Sequence, residues 1–328
     1  VFIEDLKKDT LIAAKTIKVS LLWLNTDANV LKFNRVNLTD LYINFNIDSL
    51  GNMNLEYLIN NIFPPDTTIT RPSSKPLGIE IKNIEIENGR FRLSSYNPTK
   101  QVNGINFEDM DLRKLNLDAR DLELHRDTIS LIVNNLSFIE KSGFNAERIR
   151  TEFSMCNKHI NFDKLRIKAY GSYLQLPYLH LSFDGMDKMS NFIEEVRLDM
   201  QFENSILKTQ TIGYIVPSLS NYDIEAVLNG NVNGTVSDLR AKNLVITSGT
   251  QTRMSTNFRI TGLPDIERTL MIIDFKELSS SKDDIEQFRL VDTKQPLISL
   301  PSELNKLNKI TYKGNFTGFI NNFVAFGN

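Results

Sequence analysis

The stretch VRLDMQF, residues 196–202, sets Val196, Leu198, Met200 and Phe202 at every second position, with Arg197, Asp199 and Gln201 between them. Successive side chains of a β-strand point to opposite faces, so this spelling makes one dry face and one wet face. A helix would need apolar residues at three- and four-residue spacing instead. The same alternation recurs from Ile17 to Ala325. Upstream it appears in Ile17, Val19, Leu21 and Trp23, in Leu31 and Phe33, and in Leu41, Ile43, Phe45 and Ile47. These read as neighbouring antiparallel strands with one wet face.

Further on, Ile79 and Ile81 are followed by Ile84 and Ile86, then by Asn88-Gly89, a dipeptide that predicts a tight hairpin turn. Phe91 and Leu93 then belong to the returning strand. Between Ile105 and Leu124 the two-residue spacing slips, which predicts bulges or short turns rather than one strand. Ile160 and Phe162 precede Leu165 and Ile167 in the same manner. In the clearest segments the apolar residues are mostly β-branched or aromatic, which favours sheet. Helical expectations are brief. They are a segment capped by Asn54 and stopped by Pro64-Pro65, a turn or two between Asp187 and Glu195, Ser281–Leu290, and one turn over 302–307. The organisation expected is an N-proximal element over 1–63 with its short helix, a Pro/Thr/Ser-rich loop over 64–76, and a repeating β region over 77–328.

Two stretches near the end repeat each other. Gly230-Asn231-Val232-Asn233-Gly234, Leu239 and Ala241 align with Gly314-Asn315-Phe316-Thr317-Gly318, Phe323 and Ala325, each pair 84 residues apart (314 − 230, 325 − 241). Pro217-Ser218 and Pro301-Ser302 keep the same offset. Repetition of a supersecondary unit is the mark of stacked, extended architectures.

Composition narrows the function classes. The 38 basic and 40 acidic residues leave a formal charge of −2, without the basic excess that nucleic-acid binding asks for. Charged residues make up 24% and hydrophobic residues 41%, so a folded chain is expected. Cys156 is the one cysteine and has no intrachain partner. With His159 it has only weak metal-ligand spacing, and no second pair accompanies it. No metal and no cofactor is therefore expected. No nucleophile elbow, zinc-protease helix, phosphate loop or dinucleotide fingerprint is present, and no enzyme is expected. Asp283-Asp284 reads as stabilisation of a helix start. No apolar run reaches the length that spans a bilayer. The chain opens at Val1 and closes at Asn328 inside running amphipathic segments, the pattern of a piece of a longer protein.

A sheet with one apolar face must bury it, under a second sheet, by closing into a barrel, or by curling into a trough. The residues themselves leave a packed sandwich core and an open trough equally available. A trough suits acyl chains. At about 0.8 kcal/mol per CH₂, a chain of about 15 methylenes gains on the order of 12 kcal/mol before ordering costs.

Several segments resemble a known family. DLKKDTLIAAKTIKVSL (5–21), KNIEIENGRFRL (82–93), NNLSFIEKSGFNAERIRTEFSM (134–155), LNGNVNGTVSDLRAKNLVITSG (228–249) and YKGNFTGFINNFVAFGN (312–328) are similar to the TamB proteins of the AsmA-like family, in their Bacteroidetes-type form. The resemblance implies an all-β fold, an elongated and curved antiparallel sheet forming an apolar-lined groove of repeated units with a few short helices. It implies a non-catalytic phospholipid conduit across the periplasm, supporting outer-membrane biogenesis. An inner-membrane anchor helix and a C-terminal domain engaging an Omp85-type outer-membrane barrel would lie outside this chain. Groove-lining residues are then expected at Ile79, Ile81, Ile84, Ile86, Phe91, Leu93, Ile160, Phe162, Leu165, Ile167, Val196, Leu198, Met200 and Phe202, with phospholipids as ligand. The alternative is a scaffold that assists outer-membrane protein assembly through an exposed strand edge.

Overall fold

The computed structural model describes residues 1–25, 30–55, 78–100, 103–125, 128–296 and 309–328. It divides into two compact units, Val1–Cys156 and Asn157–Asn328.

The first unit holds β1 (Phe2–Glu4), β2 (Thr10–Asn25), β3 (Val30–Asn46), β4 (Gly78–Ser94), β5 (Asp109–His125), β6 (Thr128–Glu140) and β7 (Asn145–Met155). Each strand pairs with the next in sequence. All pairs are antiparallel except β3–β4, which is parallel from Val30↔Gly78 to Asn46↔Ser94. Parallel neighbours need a connection of about a dozen residues or more, and residues 47–77 provide it.

The second unit holds β8 (His159–Ala169), β9 (Ser172–Ser182), β10 (Arg197–Lys208), β11 (Tyr222–Asp223), β12 (Glu225–Thr235), β13 (Asp238–Ser248), β14 (Thr252–Thr261), β15 (Leu270–Ser280), β16 (Arg289–Leu290), β17 (Ile310–Phe319) and β18 (Asn322–Gly327). Its sheet order is β8-β9-β10-β12-β13-β14-β15-β17-β18, antiparallel throughout. The short strands β11 and β16 pair with each other. Helical segments are brief: Phe192–Glu195, Thr209–Ile212 and Lys282–Gln287, with 3-10 turns at Met186–Asn191, Pro217–Asn221 and Ile266–Arg268.

The fold expected from the sequence needs correction. Strands dominate, but the sheet is mixed, and no sheet is curled or closed. The curved, wholly antiparallel groove is not what the chain forms. Alternation fixes which side chains share a face. It carries no information on curvature, and none on where a long connection sets a strand parallel to its neighbour. The helix expected after Asn54, the loop over 64–76 and the turn over 302–307 fall wholly or largely outside the described residues.

The hairpin predicted at Asn88-Gly89 is also absent, because β4 runs straight through it. Asn88 instead takes a left-handed φ of 53° inside the strand. Asp40, Lys114, Asp121, Lys164, Asn204 and Asn243 do the same, with φ from 45° to 53°. At Asn204 and Asn243 the left-handed residue inserts an extra position into the strand, and the register with the neighbouring strand shifts there. The backbone N–H groups of Asn88, Asn204 and Asn243 are taken by the side-chain oxygens of Asn116, Asn229 and Asn257 on the next strand, at 3.0, 2.7 and 2.8 Å. A donor displaced from the ladder thus keeps a partner.

Candidate functional site

Residues directly opposite in a ladder share a face, so the registers can be followed from strand to strand. In the first unit one row runs Ile17–Leu38–Ile86–Leu117–Leu136–Ile149, crossing β2 to β7. The next runs Val19–Val36–Ile84–Ala119–Val133. Ile81 lies opposite Phe33 and Leu122, and Ile79 opposite Leu31 and Leu124. Phe91 meets Ile43 and Leu112, and Leu93 meets Phe45 and Met110. The Phe45 and Phe91 rings meet edge-on at 5.5 Å.

The second unit carries two longer rows. One is Ile160–Leu181–Leu198–Gly234–Leu239–Ile260–Met271–Gly318–Phe323. The other is Phe162–Leu179–Met200–Val232–Ala241–Phe258–Ile273–Phe316–Ala325. Leu165 faces Leu176, Ile167 faces Leu174, and Phe202 faces Gly230. Val196 stands apart from the rows. It precedes β10, is fully buried, and bonds to the Phe192 carbonyl through its N–H.

Most of these side chains are only half-buried, among them Ile79, Ile81, Ile86, Phe91, Leu93, Phe162, Ile167, Leu198, Met200 and Phe202. Ile84, Ile160 and Leu165 are buried. Toward the β2 edge the row residues are open to solvent, Val19 at 51% and Leu21 at 60%. The alternation named the rows' members on single strands. It did not pick Ile17, Val19, Leu239, Ile260 or Phe316 as site residues, and only the register joins them to the others.

The opposite face is charged, and two of its acids are each held by two arginines. Asp111, between Met110 and Leu112, points away from the apolar row. It accepts two bonds from Arg90, at 2.8 and 2.7 Å, and two from Arg113, at 3.0 and 2.7 Å. Arg90's grip is the main cause that holds the Asp111 carboxyl well below the usual range, against its partial burial. Asp238 repeats the device with Arg259, at 2.8 and 3.1 Å, and Arg240, at 2.8 Å, and is lowered to about 2. In both cases the acid begins an Asp-Leu-Arg triplet, 111–113 and 238–240.

Asp284 has a different task. It is 1% exposed and receives the N–H groups of Thr250, Gln251 and Thr252 at 3.1, 2.6 and 2.7 Å, and both threonine hydroxyls. It thereby pins the β13–β14 turn. Desolvation pushes its carboxyl up, but the donated bonds outweigh this and the net shift is downward.

A cavity of about 730 Å³ in the first unit lies among the turns after β1, β3 and β4, with Asp5, Asp48, Met53 and Tyr96 in its wall. Two of its three acids are engaged by neighbouring groups: Asp5 accepts from the N–H groups of Lys7 and Asp9 and from Asn54, and Asp48 from Leu50 and Asn52. Among the described residues no cluster of His, Cys, Asp and Glu could hold a metal, and no helix is long and apolar enough to cross a membrane.

No family model matches the sequence, and no curated protein or solved structure is significantly similar to it.

Proposed function

We propose that this chain is a non-catalytic lipid-handling segment, which holds the acyl chains of phospholipids against the apolar face of its sheets. The observation that carries the reading is the continuity of the apolar rows, two of which cross nine strands of the second unit and leave many of their side chains only partly buried. Contacts of this kind are non-directional and scale with apolar area, so acyl chains are held without any one anchoring group. On the charged face Asp111 and Asp238 are each held by two arginines and offer no anchoring group to a lipid.

The segments similar to TamB proteins support a place for this activity in the periplasm of a Gram-negative cell. There the chain would form part of a phospholipid path between the two membranes. An inner-membrane anchor and an Omp85-type barrel would be the partners of the longer protein. Native mass spectrometry of the gently purified chain, with extraction and identification of bound lipid, tests the proposal. Phospholipid in defined stoichiometry is expected, reduced in Leu198→Asp while far-UV circular dichroism is kept. Met200→Gln is the milder variant should Leu198→Asp fail to fold. A lipid-free mass, with no uptake from labelled phosphatidylethanolamine/phosphatidylglycerol vesicles, overturns it.

A further inference from the structure

The connections that leave the ends of β10 and β15 correspond. Leu198↔Gly234, Met200↔Val232 and Ser205↔Leu228 map onto Met271↔Gly318, Ile273↔Phe316 and Leu278↔Tyr312 when 73 is added on the first strand and 84 on the second. The same 73 residues separate Thr209 from Lys282 (282 − 209), the first residues of the helical segments Thr209–Ile212 and Lys282–Gln287. β11 follows the first segment and β16 the second, and the two strands pair at Tyr222↔Leu290 and Asp223↔Arg289. In the sheet β12, β13 and β14 lie between β10 and β15. The joined connections therefore bridge the ends of three strands.

Both roots of this bridge stand on the apolar face. Ile246 packs against Val232, Ala241 and Leu244, Met254 lies opposite Ile246, and Leu278 lies opposite Met254. Two positions along the same strands, Thr252 and Ser280 share that face, and their hydroxyls meet at 2.7 Å. Asp284, in the second helical segment, accepts from the Thr252 hydroxyl at 3.0 Å. At the other root Ser172 shares a face with Leu174 and Leu176. Its hydroxyl donates to Thr211, in the first helical segment, at 2.8 Å.

The roots are firm and the junction is slight. Asp284 accepts five bonds from Thr250, Gln251 and Thr252. Thr209 closes the base of the first connection, with its N–H on the Ile224 carbonyl at 2.9 Å and its hydroxyl on the Tyr222 carbonyl at 2.6 Å. The junction has two facing residue pairs, continued by the Val291 N–H on the Asn221 carbonyl at 2.8 Å and the exposed ion pair of Lys294 with Asp223 at 3.9 Å. A two-stranded ribbon is marginal in water on its own, and an exposed ion pair adds little. Ile212, Leu219, Tyr222, Ile285, Phe288 and Leu290, all on the two connections, are half-buried. The bridge thus carries apolar side chains of its own.

We propose that the β11–β16 junction is a clasp at this end of the apolar face. It opens to admit phospholipid acyl chains onto the row Leu228–Ile246–Met254–Leu278 and closes to retain them. The clasp rests on the lipid-holding role proposed above. Because each connection is rooted separately, the junction parts and re-forms by local motion while the sheet keeps its ladder. Closed, it adds apolar surface beside a lipid chain that the sheet covers on one side only.

The test locks the clasp. Tyr222 and Leu290 stand directly opposite, and the Cβ atoms of such antiparallel neighbours come within reach of a disulfide. Tyr222→Cys with Leu290→Cys, in a Cys156→Ser background, is compared oxidised and reduced, with labelled phosphatidylethanolamine/phosphatidylglycerol vesicles as the probe. Oxidation before exposure to vesicles is expected to slow uptake at least tenfold. Oxidation after loading is expected to slow release by a similar factor, and reductant to reverse both. Val291→Pro, which lacks the N–H that bonds Asn221, should instead release lipid at least threefold faster, with far-UV circular dichroism kept. Equal rates in the oxidised and reduced forms, with the disulfide verified by mass, overturn the clasp and leave the lipid-holding role standing. So does an unchanged release rate in Val291→Pro. Lipid on neither form, nor on the wild type, overturns the lipid-holding role and the clasp with it.

Discussion

Asp284 shows how much structure one side chain can hold. Removing its carboxylate takes the shared acceptor away from three turn N–H groups and two hydroxyls, around a side chain that is itself buried. Buried donors left unpaired cost about 1–3 kcal/mol each where water cannot replace the partner. Asp284→Ala is therefore expected to destabilise the second unit by roughly 3 kcal/mol, with Asp284→Asn in between, read from denaturant unfolding. Asp111 extends the argument to pH. Its folded pKa lies below its unfolded value, so the unfolded chain binds the proton first. The stabilisation is full above the ordinary carboxylate range and drains away as pH falls from about 4 through the folded value. Acid titration of the wild type should show this loss in the first unit, and Asp111→Asn, already without the charge, should show a flatter profile. In sequence, Asp283-Asp284 reads as a helix start, and Ser281 does cap Lys282–Gln287. The larger role was invisible because its partners stand 32 to 34 residues away.

At the scale of the strand, the alternation located nearly every element, and the misplaced hairpin has a local cause. A left-handed residue inside a strand has the spelling of a turn. Asn88-Gly89 reads as a hairpin for that reason, whereas Lys114 and Lys164, which take the same conformation, carry no turn signal at all. A left-handed conformation costs an L-residue about 1–2 kcal/mol. Lys114 is exposed, so substitutions there report the backbone alone. Lys114→Gly should be near neutral, since relief of strain offsets the added freedom of the unfolded chain. Lys114→Val should cost about 1–2 kcal/mol, measured by thermal unfolding. The glycines of the repeat are less forgiving. A Cβ at Gly234, where φ is 120°, would stand 2.0 Å from the Asp238 carbonyl oxygen. Gly234→Ala is therefore expected to cost more than about 1 kcal/mol and to loosen amide exchange at both ends of the β12–β13 turn.

For the whole chain, the consequence of one-sided sheets lies in the surface that folding removes from water. Row side chains that stay half-exposed contribute only part of their transfer free energy, and the fully enclosed apolar positions include five alanines, Ala14, Ala119, Ala146, Ala169 and Ala241. Sequence alternation made the one-sidedness legible. Whether a second layer covers the dry face was not legible, because a sandwich core and an open face are spelled alike. Heat capacity distinguishes them. A chain of 328 residues with its apolar faces fully covered would unfold with a ΔCp of roughly 4–5 kcal/mol/K, at about 12–15 cal/mol/K per residue. This chain is expected to fall clearly below that in calorimetry, with a denaturant m-value low for its length, because less apolar surface is newly exposed. A lipid seated on the rows restores the missing burial. Saturation with phospholipid at about 100 times its Kd should stabilise the fold by about 2.7 kcal/mol and raise Tm accordingly. It should also bring ΔCp closer to the value for covered faces, since the acyl-covered face then becomes exposed only on unfolding. Stabilisation without that rise in ΔCp would place the lipid somewhere other than on the apolar rows.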